Sequence, residues 1–219
     1  MDWTESWRGV LPAGVVERYD VREIRNAARV FQATNPERFA EVVEVLEGFS
    51  LTRDDVTQAG GGKSMPAKRL DEAFRERGWR EVRHDTTVHS VLKVMPYAKA
   101  GEKKAVIRET VIASEAYKVD NVKDRVVVDV EWNAKDGNLD RDLGAYRALY
   151  EAGIIDCGVI ITRTLDLREL SKAFGIVKFD TTTTTNLSKL EPRMTRGDAG
   201  GCPVLAVAIS PRCYDGPMP

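Results

Sequence analysis

Asp129 and Glu131 stand two residues apart at the end of the run Val126-Val127-Val128-Asp129-Val130-Glu131, and Asp120 lies nine residues upstream. In an extended strand, residues i and i+2 leave the same face, so the two carboxylates emerge side by side. Like charges so placed repel unless something positive lies between them. A hairpin or bend returning Asp120 alongside would bring a third carboxylate. Three oxygen ligands converging at a strand end suit a hard divalent cation such as Mg²⁺. The competing reading is a solvated acidic face on an edge strand. The unbroken Val126 to Val128 run argues instead for a buried strand.

The elements around this run form a pattern. Val126 to Trp132 reads as a strand, preceded by a stretch 111–122 that ends in a hairpin-like segment, Tyr117 to Lys123. Asp136-Gly137 marks a turn, Asp140 to Ala152 an amphipathic helix, and Ile154 to Thr162 a second buried strand. Strand, helix and strand in that order form a βαβ unit. Leu167 to Phe174 reads as a short helix and Val204 to Ile209 as a last apolar strand. Upstream, Val21 to Phe31 and Pro36 to Phe49 read as amphipathic helices, the second with Asn35 as its cap. Residues 51–64 read as a polar, glycine-rich loop, and Pro66 to Gly78 as a helix with Leu70, Ala73 and Phe74 on one face. The expected fold is α/β: a central mixed β-sheet flanked by helices, one domain over 1–219, with 1–80 mostly helical and the sheet and its loops in 81–219.

Bulk properties narrow the classes. The chain has 219 residues, enough for a sizeable core, and a net charge of −1. That balance neither requires nor forbids a nucleic-acid partner, since a local basic surface can be offset elsewhere. Cys157, Cys202 and Cys213 are odd in number and widely spaced, which argues against a zinc site or a disulfide framework. No apolar run is long enough to cross a membrane, and Met1 to Gly9 lacks the apolar stretch of a secretory signal. A reducing cytoplasm is the expected location.

Other motifs are weaker. Gly60-Gly61-Gly62-Lys63-Ser64 lacks the first glycine of a nucleotide-binding loop, because Thr57 stands there. It fits better as a loop offering backbone N–H groups, Lys63 and Ser64 to a phosphate backbone. Thr181 to Thr185, followed by Asn186, Lys189, Arg193 and Arg196, reads either as a β-prone surface strand or as a loop of hydroxyls, one amide and spaced cations. Such groups, Thr182, Thr183 and Thr184 among them, bond phosphates and base edges. His84 and His89 have no nucleophile setting and read as surface residues.

The segment Asp120-Asn121-Val122-Lys123-Asp124-Arg125-Val126-Val127-Val128-Asp129-Val130-Glu131 resembles the metal-binding core of type II restriction endonucleases of the PD-(D/E)xK superfamily, in particular the BglII/BstYI-like group. The resemblance extends upstream to Leu70-Asp71-Glu72-Ala73-Phe74 with Gly78-Trp79, and downstream to Arg168-Glu169-Leu170-Ser171-Lys172. It implies Asp120 and Asp129 as metal ligands together with the Val130 carbonyl. Glu131 falls where most of the superfamily carry lysine and this group often glutamine. A glutamate there implies a general base or a further ligand, and charge balance from Lys135, Lys123 or the metals. Asp71 falls on a supporting helix, with Glu72 beside it, and Asn133 and Lys135 would position groups nearby.

The resemblance implies Mg²⁺-dependent cleavage of double-stranded DNA, with Mn²⁺ able to substitute. The site would be a short palindrome with a GATC core, cut to leave 5′ overhangs. A homodimer would read it, with residues 21–49 and 140–152 as candidate dimer faces. A cognate methyltransferase would protect the host DNA. Base contacts would come from 60–69, 133–138 and 180–196. Two alternatives remain open from sequence: a repair nuclease of the same superfamily, and a DNA-binding protein of the same fold that has lost cleavage. An unrelated α/β protein with a solvated acidic face is the third.

Overall fold

A computed structural model describes residues 1–57, 65–179 and 183–218. The elements are α1 (Ala13–Arg18), β1 (Tyr19–Ile24), α2 (Ala27–Thr34), α3 (Pro36–Gly48), α4 (Arg53–Thr57), α5 (Met65–Glu76), β2 (Arg80–Val94), β3 (Val106–Lys123), β4 (Val126–Val130), α6 (Gly137–Glu151), β5 (Cys157–Arg163), α7 (Leu167–Ala173), α8 (Leu187–Arg196) and β6 (Val204–Ile209). The strands form one mixed sheet in the order β1-β6-β5-β4-β3-β2. β4, β5 and β6 run parallel, and β1 and β3 pair antiparallel to β6 and β4. This is the α/β architecture that the sequence predicts, with the βαβ unit at β4-α6-β5.

Every residue of β4, β5 and β6 is buried, as expected of parallel strands covered on both faces. Val126, Val128 and Val130 join Val159, Ile161, Leu205 and Val207 in one core with Phe39, Val42 and Leu46 of α3 and Leu70 and Phe74 of α5. Pro36 opens α3, where its missing N–H costs nothing. Asn35 occupies the preceding position, but its amide does not cap; Nδ2 donates to Asp156 Oδ2 at 3.1 Å.

The chain resolves into two units, Met1–Val82 with Val119–Pro219, and Arg83–Lys118. The second comprises residues 83–94 of β2, residues 106–118 of β3 and a 3-10 turn at Ala98–Ala100, with Gly101 following at φ +79°. Apolar side chains there, including Val91, Leu92, Met95, Val111 and Ile112, are exposed. His84 and His89 lie in this unit, the first half-buried and the second exposed.

Three expected elements differ as well. Val21 to Phe31 is not one helix: Tyr19–Ile24 is strand β1, paired with β6, and the helix begins at Ala27 after Arg25 and Asn26 take positive φ. Buried Glu23 hides the strand's alternation from a hydropathy reading. Its carboxylate accepts from the Ser6 and Ala28 backbone N–H groups and from the Ser6 hydroxyl. The loop expected over 51–64 contains α4, with buried Asp55 paired to Arg69. Residues 187–196 are a helix, discussed with the site below.

Gly158 on β5 determines how α6 packs. A Cβ there would lie 2.2 Å from Tyr146 Cδ2, so the bare backbone lets the Tyr146 ring lie against the sheet, where its hydroxyl donates to the Val159 carbonyl at 2.7 Å. Gly158→Ala is expected to destabilise the fold by about 2–3 kcal/mol, the usual size of an overpacking defect. Urea unfolding would read this as a lower midpoint at unchanged slope.

Candidate active site

β3 and β4 form a hairpin through Asp124, at φ 50°, with the pairs Lys123↔Val126, Val122↔Val127 and Asn121↔Val128. The ladder then stops. One residue further on, the Asp120 N–H donates to Asp129 Oδ1 at 2.9 Å instead of to a main-chain carbonyl. The hairpin thus brings Asp120 beside Asp129 where the two strands separate. Asp129 is 3% exposed, and among the described residues its buried Oδ2 has no hydrogen-bond partner in range, while the Tyr146 hydroxyl, bonded to the Val159 carbonyl, lies near enough to the carboxyl to favour its charged form. Burial, then the Asp142 charge, raise its carboxyl well above the usual carboxylate range.

Glu131 continues the strand direction. Its N–H donates to the Ile161 carbonyl at 2.8 Å. Its own carbonyl accepts the Thr162 and Thr185 hydroxyls, at 2.9 and 3.1 Å. Strand residues alternate the neighbour they address, so the Val130 carbonyl points toward β3, beyond the last pair of that ladder.

Sequence reasoning missed Asp142. It lies on α6 one turn before Tyr146, on the face that Gly158 draws onto the sheet, and it is 1% exposed. Its carboxyl neighbours that of Glu131, and the two groups act on each other's protonation. Burial is the main cause that pushes Glu131 up to about 7 and Asp142 up to about 8, and each is raised further by a neighbouring acid. Arg141 Nη2 sits 3.1 Å from Asp142 Oδ1 and 4.0 Å from Glu131 Oε1. Asn138 Nδ2 donates weakly to both Glu131 oxygens, at 3.5 and 3.4 Å. A signal was present in the sequence: on a helical wheel Asp142 falls inside the stripe Leu139, Leu143, Tyr146, Leu149.

Among the described residues no group of three or more His, Cys, Asp or Glu side chains forms a ready-made metal cage. The donor chemistry nevertheless fits a hard divalent cation. Asp129 offers a buried oxygen that no hydrogen bond occupies among the described residues, Asp120 adjoins it, and a carbonyl is directed toward the same gap. The model for the family "Restriction endonuclease BglII/BglIII" matches residues 19–209, which contain all of these groups.

The chain belongs to the BglII/BglIII restriction endonuclease family. It is accordingly a type II restriction endonuclease, a hydrolase that cuts DNA phosphodiester bonds site-specifically. No curated protein matches the chain. No helix among the described residues is long and apolar enough to cross a membrane. Cys157, Cys202 and Cys213 are free and buried.

The other candidate residues of this endonuclease separate into groups. Asp71, fully buried on α5, accepts from Asn121 Nδ2 at 2.9 Å. Asn121 alternates with Asp120, so Asp71 lies against the opposite side of the strand from the acid cluster. Glu72 is exposed. Lys123 does not serve the acids: its Nζ bonds Glu41 Oε1 and the Arg77 carbonyl, at 2.7 and 2.6 Å. Arg141 is the cation beside Glu131 instead. Lys135 is exposed, in an isolated bridge with Thr184. Asn133, at φ 57°, accepts from Arg163 and from the Thr184 hydroxyl, both at 3.0 Å. The exposed Thr183 lends its carbonyl to the Asp136 N–H.

From Leu187 on, the expected hydroxyl-rich loop is α8. Leu187, Leu190 and Met194 bury one face, and Gly197 ends the helix at φ +92°. Asn186 is 2% exposed and serves as the N-cap, accepting from the Lys189 N–H at 3.1 Å. Lys189 pairs with Asp136, Arg193 with Asp140 through two bonds, and Arg196 with Asp198 and Asp140. These cations tie α8 to the start of α6. Asn186→Ala should therefore cost about 1 kcal/mol of stability and leave the restriction fragment pattern unchanged. Lys63, Ser64 and Thr182 lie outside the described residues.

Proposed function

We propose that this endonuclease cleaves double-stranded DNA with Mg²⁺, at a short palindrome with a GATC core, leaving 5′ overhangs. Mn²⁺ would substitute. It would act as a homodimer in the cytoplasm, since a two-fold site is read most simply by a two-fold protein, with a cognate methyltransferase protecting the host DNA. The observation that carries the reading is the separation of β3 from β4 at Asp120–Asp129, which leaves, beside a second acid, a buried carboxylate oxygen that no hydrogen bond occupies among the described residues.

Asp120, Asp129 and the Val130 carbonyl would hold the cation, which polarises the phosphate and acidifies a water when bound. Glu131 would act as general base, taking up a proton at its carboxylate. At about 7, its carboxyl is matched to general-base work near neutral pH. Asp142 would give that proton a second acceptor within reach. Arg141 supplies positive charge where the superfamily's usual lysine is missing. Asn133 and Lys135 are proposed to face the DNA from the loop that follows the catalytic strand, with Thr183 and Thr184 opposite them.

Purified protein incubated with unmethylated phage DNA, with Mg²⁺ or with chelator, tests this. Discrete fragments only with Mg²⁺ support it, and sequencing the ends gives the site and overhang. Binding without cleavage on several unmodified DNAs would favour the reading as a binding protein. Nicking confined to damaged or mismatched duplex would favour a repair nuclease.

A further inference from the structure

Arg163, the last residue of β5, is 0% exposed, and among the described residues no carboxylate pairs with it. A buried cation with no counter-ion is costly, so its contacts are informative. Nη2 donates to Asn133 Oδ1 and to Thr184 Oγ1, both at 3.0 Å, and Nη1 donates to the Thr164 carbonyl at 3.2 Å. The guanidinium carbon lies 5.1 Å from the centroid of Phe179, whose ring meets Trp132 edge-on at 5.7 Å. Nε bonds nothing. Burial pulls the group down to about 10, which still leaves it charged at neutral pH.

These contacts join three segments. Asn133 follows β4, Arg163 ends β5, and Phe179 and Thr184 flank residues 180–182. Asn133 and Phe179 both take positive φ, at 57° and 64°. Such a backbone is strained in a side-chain-bearing residue and persists only when its surroundings hold it. The same segments are fastened to the catalytic strand. The Thr185 hydroxyl donates to the Glu131 carbonyl and accepts from the Ala134 N–H at 3.1 Å, and the Thr185 N–H donates to the Ala134 carbonyl at 2.9 Å.

We infer that Arg163 is a positioning residue for specificity, which holds the Asn133–Asp136 and Thr183–Thr185 segments in register with Glu131 so that correct base contacts and catalysis are coupled. The inference rests on the proposal that these segments face the DNA. Arg163 sits on the side of the sheet opposite Asp129, since Ile161, two residues before it on β5, pairs with Val130 and strand side chains alternate. It therefore acts through the loops and not on the phosphate.

The test uses duplex oligonucleotides carrying the site defined by end-sequencing a wild-type digest, and duplexes with one base pair of that site replaced. Arg163→Met keeps the stem and removes the fork. Asn133 Oδ1 still receives the Thr184 hydroxyl at 3.0 Å, so no buried acceptor is stranded there. The ratio of kcat/KM on the correct site to that on altered sites should fall at least tenfold, through kcat on the correct site, with KM there changed by less than threefold. Arg163→Lys, which keeps the charge and loses the planar fork, should fall between Met and wild type. Thr184→Val removes one of the two accepting groups and should lower the ratio in the same sense. It carries the test if Arg163→Met does not fold. A folded Arg163→Met or Thr184→Val with wild-type discrimination overturns the inference. Failure of the wild type to cut any unmodified DNA would overturn the proposed function instead.

Discussion

Asp129→Asn should abolish cleavage while leaving the fold intact or more stable. The asparagine keeps the oxygen that accepts the Asp120 N–H, so the hairpin retains its 2.9 Å bond. What disappears is the negative charge on a buried group whose second oxygen has no hydrogen-bond partner among the described residues and whose carboxyl is already held toward its neutral form by burial and by Asp142. Such a charge destabilises the folded chain unless a cation meets it. Cleavage of the cognate duplex under single-turnover conditions should fall on the order of 10³-fold, the scale of losing one preorganised electrostatic group. The melting temperature in chelator should be equal or higher, and gel-shift affinity for the cognate duplex unchanged or tighter, because one repulsion with phosphate is gone. Asp120→Asn should lose cleavage to a similar degree. Cleavage of Asp129→Asn within threefold of wild type would place the chemistry elsewhere on the molecule.

In metal-free buffer the protein should lose stability as pH rises from 6 to 9, and Asp142→Asn should remove most of that slope. The folded-state values of Glu131 and Asp142 stand at about 7 and about 8, above the ordinary carboxylate values these groups take when the chain unfolds. A raised folded value means that the native state binds the proton more tightly. The stabilisation is therefore complete below the unfolded values, near pH 4, and is lost as pH climbs through about 7 and then about 8. For a chain of this size a loss of a few kcal/mol lowers the melting temperature by roughly 5–10 °C. In the Asp142→Asn variant the introduced amide does not titrate, which flattens the curve. A divalent cation held by Asp120 and Asp129 in the folded chain should flatten it too, because the added positive charge favours the ionised forms of the neighbouring Glu131 and Asp142. A melting temperature that holds steady or rises between pH 6 and 9 in chelator would show that these two carboxyls are ionised throughout.

Much of this site is legible in the sequence because strand chemistry is local. The Val126 to Val128 run announces burial, and period two places Asp129 and Glu131 on one side without further knowledge. The return of Asp120 needs only a short hairpin. Pro36, followed by Phe39, Val42, Val43 and Leu46, gives α3 for equally local reasons. What escapes depends on contacts between distant segments. Glu23 looks like a surface acid until Ser6 and Ala28 are seen to use it, and without it the alternation of β1 dissolves into a helical pattern with Ala27, Ala28 and Phe31. Asp142 resembles any helix acid until α6 is set against β5. Asn186 and the cations after it suggest a DNA-reading loop because their polar composition masks the Leu187, Leu190, Met194 spacing and the terminal Gly197.

Gly158 carries no functional group, yet it governs one. Because it leaves room for the Tyr146 ring, α6 comes close enough for Asp142, one turn earlier, to reach Glu131. The distance between the two acids is thus set by the thickness of the layer between helix and sheet. On the proposed mechanism, the endonuclease's proton chemistry would be detuned from below, by a methyl group on a neighbouring strand, with every charged residue left in place.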